Sequence, residues 1–267
     1  MLGLSGGLIG LTRTYARTGD NTGVWGLDEL LPTKRFVTAT GGTTTDDIVV
    51  DGVHYRVHQF NSTGTFTVTK PGFVEYLMHG GGSGGTANVA SNYGNGGAAG
   101  VARTGIIYVT EQSYTITVGL GSSGVGQATS AAGGSSSAFG ITATGGNGCV
   151  STSRTGATNE DFGSFGTATG FSGAAGAGAA SKALPVGSSN FGGSGFASRI
   201  TGELIIRGGG GGGGGVNVVN GGVGGGGDAG AAGTKNATAN TGSGGAGGDT
   251  IGGDGSDGVV IIRYIWK

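Results

Sequence analysis

Gly119-Leu120-Gly121-Ser122-Ser123-Gly124 has the GxGxxG spacing that cradles a pyrophosphate when it joins a strand to a helix. It follows a strand-like run, but no helical pattern comes after it, so the glycines lack the helix N-terminus that nucleotide binding needs. Gly81-Gly82-Ser83-Gly84-Gly85 has the GxSxG spacing of a nucleophile elbow. That chemistry takes its histidine from later in the chain, whereas His54, His58 and His79 all precede Ser83. Residues 252–260, "GGDGSDGVV", match the calcium nonapeptide GGxGxDxUx. Calcium in such arrays lies between successive repeats, and this single copy reads as a glycine turn into a final strand. His54 and His58 share a strand face about 13 Å apart at ~3.3 Å per residue, too far to chelate one metal, and read as surface or interface histidines. Asp46-Asp47 and Glu160-Asp161 are loop neighbours with nothing to separate their pKa values for acid–base work. The residues thus predict no catalytic site, no metal and no cofactor.

Composition narrows the class. Glycine supplies 69 of 267 residues, against an average share of about 7%. Only three prolines and 11% charged residues argue against disorder of the whole chain. Glycine falls in blocks without a period of three, which excludes collagen. A net charge of -1 without a Lys/Arg cluster predicts no nucleic-acid partner. No stretch reaches the roughly 20 apolar residues of a membrane span, so no membrane insertion is expected. Cys149 is alone, which excludes an intrachain disulfide and fits a reducing compartment. The opening "MLGLSGGLIGL" lacks a basic region before it and a cleavage site after it, so no export address is expected.

Between the glycine blocks lie β-branched and aromatic runs. "DDIVVDGVHYRVHQF" predicts a hairpin about Asp51-Gly52. "GTFTVTKPGFVEYLMHGG" predicts two strands about a Pro71-Gly72 turn, with Phe66 and Val68 on one face, and Phe73, Glu75 and Leu77 opposite Val74, Tyr76 and Met78. "GIIYVTEQSYTITVG" predicts a second pair, turning at Glu111-Gln112-Ser113. "SSSAFGITATGG", "GELIIRGG" and "DGVVIIRYIWK" add three more strands, and no amphipathic helix of ten residues can be drawn after residue 36. The expected fold is all-β, an antiparallel β-sandwich interleaved with glycine excursions at about 80–100, 119–135, 145–202 and 208–258.

Glycine costs roughly 0.5–1 kcal/mol relative to alanine in regular structure, so the unbroken run Gly208, Gly209, Gly210, Gly211, Gly212, Gly213, Gly214, Gly215 needs a purpose. Polyglycine II helices have three residues per turn, a ~3.1 Å rise and no internal hydrogen bonds. Side by side they can pair their backbone groups and leave none unsatisfied. The run is therefore expected to be a central polyglycine helix spanning roughly 25 Å, ringed by helices from 80–100, 170–180, 221–233 and 242–255. Interspersed Ala, Ser and Asn are expected on outward faces or bundle ends.

"GTFTVTKPGFVEYLMHGGGSGG", "SYTITVGLGSSG", "SSSAFGITATGGNG", "ITGELIIRGGGGGGGG" and "GGDGSDGVVIIRYIWK", in this order, resemble the glycine-rich domain of phage tail fibres and related virion proteins, especially of marine and cyanobacterial phages. The resemblance covers about 36–267. "TGDNTGVWGLDELLPTKR" also resembles a leader that precedes such domains. The stretch "STSRTGATNEDFGSFGTATGFSG" departs from the family pattern in being richer in Phe and charge.

The resemblance implies a virion structural protein made in the host cytoplasm and non-enzymatic, most simply a short tail fibre or fibre tip that attaches to the host surface. The alternative is a capsid-surface decoration or head fibre. Residues 1–35 are expected to form an extended virion-anchoring segment that orders on another virion protein through Trp25, Leu27, Asp28, Leu30 and Leu31, and 36–267 the outward-facing glycine-rich domain. A homotrimer is implied. Contact with a host glycan or outer-membrane protein would use the loop aromatics and amides Asn92, Tyr93, Phe162, Phe165, Phe171 and Phe191, whose alternative role is packing.

Overall fold

The computed structural model describes residues 36–87, 94–150, 157–158, 175–180, 184–186, 189–214, 219–230 and 235–267. All of them belong to one unit, Arg35–Lys267. Fourteen strands are present and no helix among the described residues: β1 (Thr38–Thr40), β2 (Thr44–Val50), β3 (Val53–Phe60), β4 (Gly64–Lys70), β5 (Gly72–His79), β6 (Ala102–Val109), β7 (Ser113–Ile116), β8 (Ser136–Ala138), β9 (Ile141–Ala143), β10 (Leu184–Val186), β11 (Ser189–Phe191), β12 (Phe196–Ser198), β13 (Ile205–Arg207) and β14 (Val259–Ile265). The chain is all-β, as its alternating runs predict.

Two sheets form the sandwich. The larger has the order β2-β3-β14-β5-β6 and the smaller β1-β4-β7, every pairing antiparallel. The closing run "VVIIRYI" becomes the central strand β14, between β3 and β5, and Val259, Val260, Ile261 and Ile262 have no exposed surface. A strand covered on both faces reads as a continuous apolar run. Period-two alternation sorts its neighbours. Val74, Tyr76 and Met78 join Val260, Ile262, Tyr264 and Phe60 against Ala39, Phe66, Val68 and Ile116 of the smaller sheet. On the other face Leu77, Val259, Ile261 and Val57 meet Ile200 and Phe196, from the segment that carries the β12–β13 pair.

Local turn chemistry accounts for two hairpins. Asp51 and Gly52 both take positive φ, 51° and 78°, between β2 and β3, and Phe139 and Gly140 do the same at 55° and 75° between β8 and β9. Positive φ at both central positions matches the strand twist. Two expected pairs do not form. β4 pairs with β1 and β7, and β5 with β14 and β6, so Pro71 marks a crossing between layers rather than a hairpin. β6 and β7 likewise lie in different sheets. The physical reason is burial: Phe66 and Val68 reach their apolar partners across the core, where β5 faces them. The glycine excursion expected at 145–202 also contains β10, β11 and β12, which pairs with β13 just beyond it.

Leu77 is wholly buried and Val49 is 60% exposed. Leu77→Ala should lower the stability measured by urea unfolding by about 2–5 kcal/mol, and Val49→Ala by no more than about 0.5 kcal/mol.

Candidate functional site

The glycine segments bond to one another through their backbones with a repeat of three. In the segment leaving β5, the N–H groups of Gly80, Ser83 and Thr86 donate to the carbonyls of Val101, Ala98 and Asn95. Gly82 and Gly85 donate to Ser256 and Gly253, and Gly81 and Ala87 to Gly134 and Val125. The first two neighbours are met every third residue, and in both the partner steps back by three. A strand would alternate every two residues, and an α-helix would spend these groups internally.

Gly208–Gly214 leave β13 and are buried throughout; Gly215 lies outside the described residues. Gly209 and Gly212 donate to Gly224 and Gly227, Gly211 and Gly214 to Gly97 and Gly94, and Gly210 to Gly193. Their carbonyls accept in turn: Gly209 and Gly212 from Gly244 and Gly247, Gly208 and Gly211 from Ala179 and Gly176, and Gly210 from Gly222. Six stretches of chain therefore surround this one, three receiving its N–H groups and three donating to its carbonyls. A Cβ placed on Gly210 or Gly211 would lie 2.2 Å from Gly176 O or 2.0 Å from Gly245 O. Backbone contact at this range excludes every side chain, which accounts for the run.

The expectation that Ala, Ser and Asn face outwards is corrected. Ala98, Ala99, Ala177, Ala246, Ser83, Ser243 and Asn95 are all buried. Between rows of backbone contact there is room for a small side chain, and hydroxyls there act as extra hydrogen-bonding groups. Ser83 Oγ accepts the Ala98 N–H at 2.9 Å, Ser122 Oγ accepts that of Gly84, and Ser243 Oγ accepts the Gly209 N–H while donating to Gly224 O. The Cys149 thiol is buried beside Ser130, Gly84 O and Asn95 O, and burial raises its pKa, which keeps it a protonated, unreactive filler.

The chemistry-bearing motifs resolve into structure. Asp257 Oδ1 accepts the Gly121 N–H at 2.7 Å and Asp254 Oδ1 the Gly124 N–H at 2.8 Å. The calcium-like stretch and the nucleotide-like loop therefore satisfy each other. Ser83, of the elbow-like motif, is enclosed and engaged as above. His58 is not a surface histidine: it is buried, Nδ1–H donates to Gly41 O at 2.6 Å, and Nε2 lies 3.0 Å from the Tyr264 hydroxyl. Burial lowers its pKa, with the Gly41 carbonyl opposing. Asp47 is held by Arg56, whose Nε donates to Oδ1 at 2.8 Å and which lowers the carboxyl pKa. Glu160 and Asp161 lie outside the described residues. Among the described residues no three His, Cys, Asp or Glu side chains converge as a metal would need.

The expected anchoring residues Trp25, Leu27, Asp28, Leu30 and Leu31 and the expected contact residues Asn92, Tyr93, Phe162, Phe165 and Phe171 lie outside the described residues. Phe191 ends β11 and is half-buried. Sequence reasoning passed over an exposed group at the edge of the larger sheet. Phe73 and Tyr108 are cross-strand partners with ring centroids 5.2 Å apart, and Ile106 beside them is 68% exposed. Tyr108 also borders a shallow cleft of about 440 Å³ with Ser113, Tyr114, Thr115 and Phe139. The alternation of Phe73, Glu75 and Leu77 was the available signal, but it does not say which end of that face is covered.

Gly211→Ala should cost about 4 kcal/mol or more or abolish the cooperative thermal transition. Gly52→Ala, where φ is 78° and nothing lies within 4 Å of the added Cβ, should cost only about 1–2 kcal/mol. His79 is enclosed, and burial, aided by the Arg207 charge, lowers its pKa from 6.5 to about 3. The unfolded chain binds this proton more readily, so the stabilisation is complete above pH 6.5 and is lost as pH falls towards 3. His58 acts in the same direction. Urea unfolding in halide-free buffer should show a loss of about 2–3 kcal/mol near pH ~4.5 from His79 alone, and His79→Leu should flatten that acid limb.

A family model described as a glycine-rich domain matches residues 61–265. No curated protein matches the chain. The matched span takes in the strands from β4 to β14 and every glycine segment between them, and the chain belongs to this glycine-rich domain family.

Proposed function

We propose that the chain is a non-enzymatic phage virion protein, a short tail fibre or fibre tip, whose glycine segments are polyglycine II helices and whose domain faces the host. The observation that carries the reading is the enclosure of Gly208–Gly214 by six stretches of chain through backbone hydrogen bonds. A scaffold stiffened by its backbone holds the intervening loops in place while leaving their sequences free to vary, as an attachment surface requires. The five ordered segments that resemble tail-fibre domains support the same assignment, and membership of the glycine-rich family is consistent with it. Residues 1–35 dock on another virion protein. Assembly as a homotrimer would multiply weak contacts with a host glycan or outer-membrane protein into avidity.

Cryo-EM of the particle that carries this chain, with and without residues 1–35, tests the reading. Density for the domain at the tail is expected in the intact particle and should vanish with the deletion, together with most adsorption to the host. Density on the capsid lattice would instead make the protein a head decoration, and normal incorporation after deletion would remove the anchoring role.

A further inference from the structure

His79 is the last residue of β5 and Arg207 the last of β13, so the segments Gly80–Thr86 and Gly208–Gly214 start beside them. His79 is fully buried and Arg207 is 8% exposed. Both ring nitrogens of His79 and Nη1 of Arg207 are cut off from solvent without a hydrogen-bond partner. Both side chains neighbour Phe196. Arg207 lies directly opposite Phe196 in the β12–β13 pair, and residues so paired project from the same face. The Phe196 ring centroid is 6.4 Å from that of His79. Gly208 closes the side, since a Cβ there would lie 3.1 Å from His79 Nδ1 and 2.7 Å from Ala179 Cβ.

Charge decides what such a place accepts. Arg207 is a cation whose pKa is lowered by burial, with no carboxylate among the described residues opposing the effect. A buried charge is ordinarily paired, because leaving it alone costs more than an unmade hydrogen bond. Water would meet the hydrogen-bonding need of Nη1 and the imidazole but leave the charge unbalanced. The enclosure of His79 restricts the occupant to atomic size, and the single guanidinium charge calls for a single negative one.

We propose that Arg207 Nη1 and the imidazole of His79 bind a small monovalent inorganic anion, with chloride as the probe, against the Phe196 ring. The anion neutralises the guanidinium and ties together the two strand ends from which the glycine segments leave. The site does not depend on the role of the chain in a virion.

Chloride titration at constant ionic strength, with gluconate as the balancing anion, gives the first readout. Tm should rise with chloride by about 2–4 °C at roughly five times Kd, and Arg207→Met should remove the dependence. Crystals of the wild-type protein in bromide give the second, which stands even if the variant fails to fold: an anomalous peak is expected within hydrogen-bond distance of Arg207 Nη1. Melting that is indifferent to chloride, with water alone at the site, overturns the proposal. A bromide peak without any chloride dependence of Tm marks an adventitious ion only and overturns it equally.

Discussion

Neighbouring glycine segments approach until the carbonyl oxygen of one occupies the space a methyl group would take on the next, 1.9 Å from the ideal Cβ position at Gly82 and 2.0 Å at Gly97. The rest of the structure depends on this approach. It lets buried amides find partners without strands or α-helices, and each such bond contributes a net of about 0.5–1.5 kcal/mol. Ordering a glycine costs a similar amount relative to alanine. The segments are therefore close to balanced on their own, and their ends must be held by something else.

The β-sandwich supplies that hold. β5 runs directly into Gly80, β13 into Gly208, and Gly258 into β14, so the central segments start or finish on strands whose side chains lie in an apolar core. β14 shows the dependence most clearly. Its Val259–Ile262 stretch is buried on both faces, and the amide of Gly258 just before it donates to Gly119 O. Further links are made by side chains: Asp254 and Asp257 fix residues 252–258 to 119–124, and Ser136 Oγ joins Gly119 N–H to His79 O. Strand packing and glycine packing thus share their boundary residues, and displacement of either disturbs the other.

Much of this was legible in the sequence where the cause is local. Alternation marked the strands, Asp51-Gly52 marked its hairpin, and the glycine blocks marked where side chains cannot be tolerated. Pairing across the sandwich was not legible, because Pro71-Gly72 looks the same whether the next strand lies beside the last or over it. The burial of Ser83, Ser243 and His58 was also hidden. Each is polar, and only the tertiary partner, the Ala98 amide, the Gly209 amide or the Gly41 carbonyl, makes an interior position favourable. The close backbone packing of Gly208–Gly214 was legible from composition alone. The pairing of two motif-like stretches with each other required knowing that residues 119–124 and 252–258 are neighbours.

Residue-resolved amide hydrogen exchange of the full chain reports whether the glycine amides are paired in the folded protein. If the glycine segments are held by backbone pairing within the core, the amides of Gly209–Gly212 should exchange only by global unfolding, with protection equal to that of Val260 and Ile262 in β14. Exchange of these glycine amides at the rate of an unstructured chain, while β14 stays protected, would contradict it.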